Sequence, residues 1–294
     1  MAPRSRLLPG EIEGHRVGWF PGVRLLFAEG HPKPGGLGGP EDMAASFERL
    51  SEALEDRGIV LPKGNPISSH AQGGQREGFG GVRRLDSTVD LRFDDPLEGL
   101  AALAGVAALP MPRIKKKIIP ETGGRRVETV YLHGYGGKRV LGRWYDKGNE
   151  SGLAERGAWV RPEDQRRFGA VGRLPLDVVT QSSYPRDAFV QRFEPLWRAA
   201  KGVIVGGVSQ LAVRLQEMVE AGDIKPSTAK ALAGALVFDA AGLEVQSRTT
   251  RMRDRAKCRD LGLVLADGVL DEVQVDLGDV LEAALDSDAW GAQG

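Results

Sequence analysis

Residues 128–150 read ETVYLHGYGGKRVLGRWYDKGNE, and their pattern is the most informative one in the chain. Two runs of strand-forming residues, 127–133 and 138–147, flank the glycine-rich sequence GYGG. Because glycine supplies the backbone angles that tight turns need, the pattern predicts that the two runs pair as a β-hairpin. The sequence therefore predicts an antiparallel sheet that contains this hairpin.

The residues on both sides of the hairpin predict further strands and helices. Residues 83–93 alternate apolar and polar side chains, as a half-buried strand does. Asp95 and Pro96 form a cap and first-turn proline, which begin a helix that we expect to end near residue 109. Residues 158–168 are ambiguous between strand and helix, because Pro162 suits only an edge strand or a helix start.

The last third of the chain has a different pattern. Helical spacing predicts three helices, at residues 208–220, 227–241 and 247–262, followed by two short strands at 263–266 and 269–275. Asp267 and Gly268 part the two strands, so we expect a small hairpin there. We place a domain boundary near Lys201, which gives an N-terminal domain of residues 1–200 and a C-terminal domain of residues 201–294.

The C-terminal domain is similar to a winged helix-turn-helix. Its third helix reads SRTTRMRDRAKCRDLG and is strongly basic, and the small hairpin would be the wing. Cations and helix N-termini bind phosphate, and the start of such a helix enters the major groove of DNA. The residues expected to contact DNA from this helix are Arg248, Thr249, Thr250, Arg251 and Arg255.

Composition narrows the class of protein further. The chain carries 40 basic and 40 acidic residues, so its net charge alone predicts no polyanionic partner. The single cysteine, Cys258, excludes internal disulfides and multi-cysteine zinc sites, which fits a reducing cytoplasm. No apolar run approaches the roughly 20 residues that cross a bilayer, and the N-terminal residues lack the apolar segment of a signal peptide. We therefore expect a cytoplasmic protein without a membrane partner.

The second strand of the hairpin carries the residues with the most distinctive chemistry. Residues two apart share a face of a strand, so Arg143, Tyr145 and Lys147 should project together. A phenol between two cations suits attack on a phosphodiester, because the cations position the phosphate and favour the phenolate. Such an attack leaves a phosphotyrosine and a free 3′ hydroxyl. The first strand offers Tyr131 as an alternative nucleophile, with His133 beside it.

Carboxylates are the available metal ligands, since the four histidines are spread along the chain. Asp86 and Asp90 share a face of their strand, yet at about 3.3 Å per residue they stand roughly 13 Å apart on a regular strand. At most one of them binds an ion directly unless a bulge intervenes, and Glu150 and Glu163 are further candidates. Oxygen ligands of this kind suit Mg²⁺ or Mn²⁺.

These motifs resemble the replication initiation factor family of rolling-circle plasmids, phages and integrative elements. The resemblance lies in RRLDSTVDLRF, ETVYLHG, RWYDKGNE and WVRPEDQRRF, and it covers residues 82–168. Two features depart from the family pattern: HGYGG replaces a glycine-serine turn, and Trp144 stands where an aliphatic residue is usual. The resemblance implies an α+β fold, in which an antiparallel sheet carries helices on one face.

The resemblance also implies a function. Members nick a replication origin through a tyrosine and use the free 3′ end as a primer. By position in the motif the nucleophile falls on Tyr145, and the metal-binding acids fall on Asp86, Asp90 and Glu150. The implied partner is the origin DNA of a plasmid, phage or integrative element.

A helicase from the host or the element is a second expected partner, because the chain has no GxxxxGK[ST] loop to drive strand separation. The basic segment RIKKK at residues 113–117 is expected to be a solvated loop, and its Lys115 and Lys116 are further DNA contacts. A homodimer is left open. Two alternatives also stay open: a relaxase that nicks a transfer origin, and a DNA-binding regulator with no enzymatic activity.

Overall fold

The computed structural model describes residues 6–7, 10–13, 15–20, 25–30, 40–59, 81–82, 84–111, 113–121, 126–134, 137, 139–168, 174–175, 184–241, 243, 247–266 and 273–286. The chain forms two compact units: the first comprises residues 1–85, 167–187 and 290–294, and the second comprises residues 86–166 and 188–289. Among the helices in these ranges, none is long and apolar enough to span a membrane.

The strands and helices have the following bounds. The strands are β1 (Arg6–Leu7), β2 (His15–Phe20), β3 (Leu25–Gly30), β4 (Gly81–Val82), β5 (Arg84–Thr88), β6 (Leu91–Arg92), β7 (Lys115–Pro120), β8 (Val127–His133), β9 (Val140–Asp146), β10 (Trp159–Arg167), β11 (Leu174–Pro175), β12 (Ile204–Gly206), β13 (Leu263–Leu265) and β14 (Gln274–Asp276). The helices are α1 (Pro40–Glu55), α2 (Pro96–Ala108), α3 (Lys147–Ser151), α4 (Tyr184–Ala200), α5 (Val208–Glu220), α6 (Pro226–Ala240), α7 (Arg248–Asp260) and α8 (Leu277–Leu285).

The described residues of the first unit include two small sheets and helix α1. Strands β1, β2 and β3 pair antiparallel in that order, and β4 pairs with β11. The apolar face of α1 supplies Leu50 and Leu54, which pack with Ile12 and Val17. This unit therefore has a hydrophobic cluster of its own.

The second unit contains the predicted hairpin within a larger sheet. Strands β8 and β9 pair antiparallel, which confirms the hairpin, and the sheet order is β5-β10-β9-β8-β7. Strand β6 also pairs with β10, beside β5. In this register Tyr145 lies opposite Thr129 on one side and Arg161 on the other. The antiparallel sheet expected from the sequence is thus present.

Helices cover the face of this sheet to which Trp144 points. The Trp144 side chain is completely buried and meets Phe193 of α4 edge-on, with ring centroids 5.8 Å apart. Helix α2 packs over β8 and β9 on the same unit. The Asp95 carboxylate accepts a hydrogen bond from the backbone N–H of Leu97 at 2.9 Å, so the predicted cap of α2 is confirmed. The α+β class is therefore confirmed.

Strand β10 overturns the expectation that Pro162 marks an edge strand or a helix start. The strand has neighbours on both sides, β9 on one and β5 with β6 on the other. Proline is accommodated at this internal position of the sheet for a local reason. The neighbouring strand is interrupted at Val89 and Asp90, and the Val89 N–H donates to the Pro162 carbonyl at 3.2 Å. Because proline has no N–H, an interruption beside it avoids a ladder bond that could not form.

The C-terminal helices form a cluster on a second, three-stranded sheet. The three helices expected here correspond to α5, α6 and α7. Buried leucines of α5 and α6 pack with Cys258 of α7 and with Leu263 of β13. The predicted hairpin of residues 263–275 is wrong: β13 and β14 both pair with β12 and lie on opposite sides of it. The short apolar strand β12 is the central strand of this sheet, and its Val205 is fully buried. Asp267 and Gly268, the expected wing tip, lie outside the described residues.

Helix α2 also contacts the C-terminal sheet. A Cβ atom placed on Gly105 would lie 2.7 Å from Val205 Cγ2 and 2.8 Å from Leu277 Cδ2, so only glycine allows this approach. Both residues are fully buried. The second unit therefore continues across position 201, and the division into domains at that position stays a prediction.

Candidate active site

The site lies on the sheet face opposite α2 and α4. Because successive residues of a strand point to opposite faces, the neighbours of buried Trp144 face away from the helices. The strand registers place Lys117, Tyr131, Arg143 and Glu163 in one cross-strand row, and Ile119, Thr129, Tyr145 and Arg161 in the next. We call these two rows the polar face.

Tyr145 stands between cations, as the sequence predicts. The Arg143 guanidinium lies 4.1 Å from the centroid of the Tyr145 ring, and the Lys147 ammonium lies 6.0 Å from it. The tyrosine is only 4% exposed, so these groups and the strand neighbours enclose it almost completely. The residue thus faces charged groups rather than the apolar core, but its ring is covered.

The turn that follows Tyr145 explains where Lys147 lies. Lys147 is the first residue of α3, and the buried Asp146 caps that helix by accepting the backbone N–H of Asn149 at 3.0 Å. The second oxygen of Asp146 accepts the Gly157 N–H at 3.0 Å, which ties the turn to the loop before β10. The aspartate of the YDK motif therefore fixes the backbone, while the lysine returns toward the ring.

Two carboxylates hold the cations beside the phenol. Glu163 accepts both Nε and Nη2 of Arg143, at 3.0 and 2.9 Å, and its side chain is 5% exposed. Glu150 accepts the Lys147 ammonium at 2.6 Å and lies 3.7 Å from Arg143 Nη1. Glu150 is 42% exposed, so its bonds to Arg143 and Lys147 are the ones that an incoming anion could replace.

Arg161 is a third cation at the phenol, and the sequence reading did not assign it. Its Nε and Nη2 donate to the two oxygens of Asp90 at 2.6 and 2.9 Å. Arg161 is also the direct cross-strand neighbour of Tyr145, and its positive charge acts on the phenol. The signal in the sequence was the alternation of Trp159, Arg161 and Glu163, which the ambiguity at Pro162 concealed.

Burial and charge act in opposite directions on the phenol. Burial raises the pKa of Tyr145 to about 12, although Arg143 and Arg161 act to lower it. The arginines therefore favour the phenolate, in the direction that the sequence predicts, but the effect of burial on the pKa is larger. For Arg161, burial alone would lower the pKa, but the hydrogen bonds to Asp90 and the charge of that carboxylate raise it above its ordinary value.

The acids predicted to bind metal do not fit a common ion. Asp90 is bound to Arg161 and Glu150 is bound to Lys147, while Asp86 is an exposed residue of β5. Within the described ranges, no three histidine, cysteine or acidic side chains come together as a metal site. In this arrangement Asp90 and Glu150 hold cations through ion pairs.

The two lysines expected to contact DNA point in different directions. RIKKK is not simply a loop, because Lys115 begins the edge strand β7. Lys115 is exposed, whereas the Lys116 ammonium donates to the carbonyls of Val106 and Leu109 at the end of α2. Burial lowers the pKa of Lys116 to about 8. Lys117, which lies on the polar face and is exposed, is the lysine that the sequence reading missed.

Of the residues expected to contact DNA from the C-terminal domain, Arg248, Thr249, Thr250 and Arg251 form the start of α7, and Arg255 lies in the middle of the helix. Ser247 caps the helix by accepting the Thr250 N–H at 3.2 Å, and the two hydroxyls lie 2.9 Å apart. Thr249 is exposed and Arg251 is partly buried. Arg255 forms an ion pair with Asp239 of α6 at 2.6 Å. The side chain of Arg248 lies outside the described part of the structure.

The alternative nucleophile lies in the neighbouring row. Tyr131 is partly buried on β8, directly opposite Arg143, and its ring centroid is 6.3 Å from that of His133. In the part of the chain that is described, neither ring nitrogen of His133 has a hydrogen-bond partner. Tyr131 is thus close enough to the same arginine to remain a competitor for Tyr145.

Comparison of the chain with protein-family models, with curated proteins and with solved structures found no match in any of the three. The similarity to replication initiation factors therefore depends on the sequence motifs quoted above. The geometry around Tyr145 is the independent observation from which a function is argued.

Proposed function

We propose that this chain is a tyrosine strand transferase that nicks and rejoins DNA at a rolling-circle origin. The observation that carries the proposal is the position of Tyr145, whose hydroxyl-bearing ring is surrounded by Arg143, Arg161 and Lys147 on a sheet face without helices α2 and α4. Cations around the phenol can stabilise the negative charge of a phosphodiester and the further charge that develops in the transition state for its cleavage. The motifs that resemble replication initiators point to the same residue.

The chemical step is a transfer of a phosphodiester bond. The Tyr145 oxygen attacks phosphorus, the bond from phosphorus to the 3′ oxygen breaks, and the phenol proton ends on that 3′ oxygen. The products are a 5′-phosphotyrosine and a free 3′ hydroxyl, and the reverse reaction rejoins the strand. Since both ester bonds have similar energy, no other reactant is consumed.

The phosphate is expected to bind where Glu150 now lies. Glu150 is the most exposed of the acids around Tyr145, and it contacts both Lys147 and Arg143. A phosphate that replaces it gains two charge-assisted bonds. Arg143, which covers the tyrosine ring, would then turn its Nη1 toward the phosphate while Glu163 keeps hold of its other nitrogens.

The remainder of the polar face suits single-stranded DNA. Lys117 and Tyr131 continue the row that contains Arg143, so a cation for the backbone and an aromatic ring for a base lie next to the phenol. Single-stranded DNA commonly binds through such combinations. An exposed strand also aligns for in-line attack more easily than a phosphate inside a duplex.

We assign duplex recognition to α6 and α7. The first turn of helix α7 contains the exposed Thr249, and the helix also carries Arg253, whose side chain is 66% exposed. Its ion pair from Arg255 to Asp239 fixes α7 against α6. Contacts between exposed side chains of α7 and DNA phosphates would position the protein on the duplex without reading its sequence. The expected partners remain the origin of a plasmid, phage or integrative element and a helicase from the host or element.

The burial of Tyr145 favours a second candidate, a DNA-binding protein without enzymatic activity. A phenol that is 4% exposed and has a pKa near 12 is protected from substrate and from deprotonation. In this case the polar face would hold DNA without cutting it. The relaxase alternative shares the chemistry of the main proposal and differs in the kind of origin that is cut.

A label-transfer experiment separates cutting from binding. Single-stranded oligonucleotides of randomised sequence, labelled at either end, are incubated with the protein in Mg²⁺, in Mn²⁺ or in EDTA and separated in denaturing gels. We expect the 3′-end label to move with the protein and the 5′-end label to stay on free DNA, because the phosphotyrosine keeps the downstream fragment.

Two substitutions serve as controls for this experiment. Tyr145→Phe should abolish transfer of the 3′ label, and Tyr131→Phe should retain it. If wild-type protein binds the oligonucleotides but transfers no label under any of the three ionic conditions, the non-enzymatic candidate is correct. Transfer that persists in Tyr145→Phe and disappears in Tyr131→Phe assigns the nucleophile to Tyr131.

A further inference from the structure

Arg161 and Asp90 form an ion pair beside Tyr145. Arg161 is the cross-strand neighbour of Tyr145, and its guanidinium donates two hydrogen bonds to Asp90. The side chains are only 11% and 17% exposed, so solvent screens this ion pair little. A two-bond pair of this type fixes the plane of the guanidinium as well as its position.

The strand interruption explains how Asp90 reaches Arg161. Strand β5 ends at Thr88 and β6 begins at Leu91, so Asp90 lies in the gap beside β10. The gap itself follows from Pro162, the residue after Arg161, which offers no N–H to a neighbouring strand. The backbone irregularity and the charge pair thus arise at the same place.

A contact with the Trp159 ring also restricts Arg161. Its guanidinium carbon lies 5.2 Å from the centroid of the Trp159 ring, and Arg92 stacks on the same indole at 3.6 Å. Arg92 therefore resembles Arg161 in having an aromatic neighbour, but it is no cross-strand neighbour of Tyr145. This difference makes Arg92 a matched control.

We propose that Asp90 is a positioning residue that holds the Arg161 guanidinium at the Tyr145 hydroxyl, where the arginine stabilises the negative charge on the attacking oxygen. The inference deepens the proposed function and rests on it for the catalytic part. It gives Asp90, expected from the sequence to bind metal, a different task. It also gives Arg161, the cross-strand neighbour of Tyr145, a part in the reaction.

The contact between Arg161 and the phenol is tested without DNA. A fluorinated tyrosine at position 145 has a more acidic phenol, so its titration can be followed by fluorine NMR while the protein stays folded. We expect Arg161→Gln to move this titration upward by about one pH unit, since an adjacent cation favours the charged form. Arg92→Gln should leave it unchanged. An unchanged titration in Arg161→Gln overturns the proposal.

The positioning by Asp90 is tested by coupling. In single-turnover reactions at saturating oligonucleotide, Asp90→Asn and Arg161→Gln should each slow label transfer at least about tenfold, with little change in DNA affinity. The double variant should be no slower than Arg161→Gln alone, because Asp90 acts through the arginine. Losses that multiply in the double variant contradict this role.

Failure of the proposed function can be told apart from failure of this inference. If wild-type protein never forms an adduct, the fluorine titration still decides whether Arg161 acts on Tyr145. Hydrogen exchange of the Arg161 Nε–H then decides the role of Asp90: exchange should be slow in the wild type and at least about tenfold faster in Asp90→Asn, because a bonded, buried N–H is protected. Equal exchange rates in the two proteins would contradict the positioning of Arg161 by Asp90.

Discussion

At the scale of single residues, the central feature is the Tyr145 phenol, on whose pKa burial and neighbouring charges have opposite effects. Burial raises the pKa of Tyr145, while Arg143 and Arg161 oppose the rise. A sequence predicts which charged residues share a strand face, because alternation is a local property. It does not predict how deeply that face is covered, since burial depends on residues distant in the chain.

The raised pKa predicts a pH dependence. With a pKa of about 12, the phenol is almost fully protonated near neutrality, so each pH unit increases the phenolate fraction about tenfold. We expect the rate of label transfer at saturating DNA to rise about tenfold per unit between about pH 7 and pH 9. A rate that stays level over this range would mean that proton loss from Tyr145 does not limit the reaction.

The affinity for single-stranded DNA tests whether Glu150 occupies the position that the phosphate would take. If it occupies the phosphate position, Glu150→Gln should strengthen binding of single-stranded DNA by about threefold to tenfold, because the phosphate no longer competes with a charge held by Lys147. Fluorescence anisotropy with a labelled oligonucleotide measures this change. Weaker binding in the variant would contradict the competition. Glu194→Gln, which breaks an exposed pair within α4, is the control and should bind as the wild type does.

At the scale of elements, the edge strand β7 shows how one strand serves two faces. Lys116 donates to the carbonyls at the end of α2, and Lys117 lies in the row of Tyr131 and Arg143. The run of three lysines carries no sign of this difference until the strand and its register are known. Lysines on an edge strand also oppose unwanted pairing with other chains.

The two lysines give a matched test of the polar face. Lys117→Ala should weaken binding of single-stranded DNA and reduce the slope of log affinity against log salt by about 0.7, the value for one lost phosphate contact. Lys116→Ala removes the same charge from the helix side and should leave the slope unchanged. Titrations at several salt concentrations supply both slopes. Equal effects of the two variants would place the DNA elsewhere.

Several elements could be predicted from sequence and two could not. The hairpin of β8 and β9 and the helix after Asp95 follow from local signals, namely glycine turns, alternation and a capping residue. Strand β10 was ambiguous because Pro162 is tolerated only through the gap in the neighbouring strand. The C-terminal hairpin was wrong because Ile204–Gly206, far away in the chain, separates its two strands.

At the scale of the whole second unit, α2 contacts both of its sheets. It packs over β8 and β9, and its Gly105 touches Val205 and Leu277 beyond position 201. An apolar helix with few polar residues indicates burial on several sides. Which elements surround it is a matter of long-range topology, and the sequence alone does not supply that.

A glycine pair tests this packing. Gly105→Ala should lower the free energy of unfolding by about 1–3 kcal/mol, because the added methyl group meets two fully buried side chains. Gly234→Ala, in the interior of α6, meets nothing within 4 Å and should raise stability by about 0.5–1 kcal/mol. Urea unfolding provides both values. A neutral or stabilising Gly105→Ala would contradict the close approach of α2 to the C-terminal sheet.

The identity of the nucleophile is the central claim, and mass spectrometry of the trapped adduct tests it. Trypsin cleaves after Arg143 and Lys147, so Tyr145 lies in the peptide WYDK, whereas Tyr131 lies in VETVYLHGYGGK. After nuclease treatment, the account predicts that WYDK carries the mass of a residual nucleotide. A nucleotide on VETVYLHGYGGK, or on no tyrosine peptide at all, would contradict it.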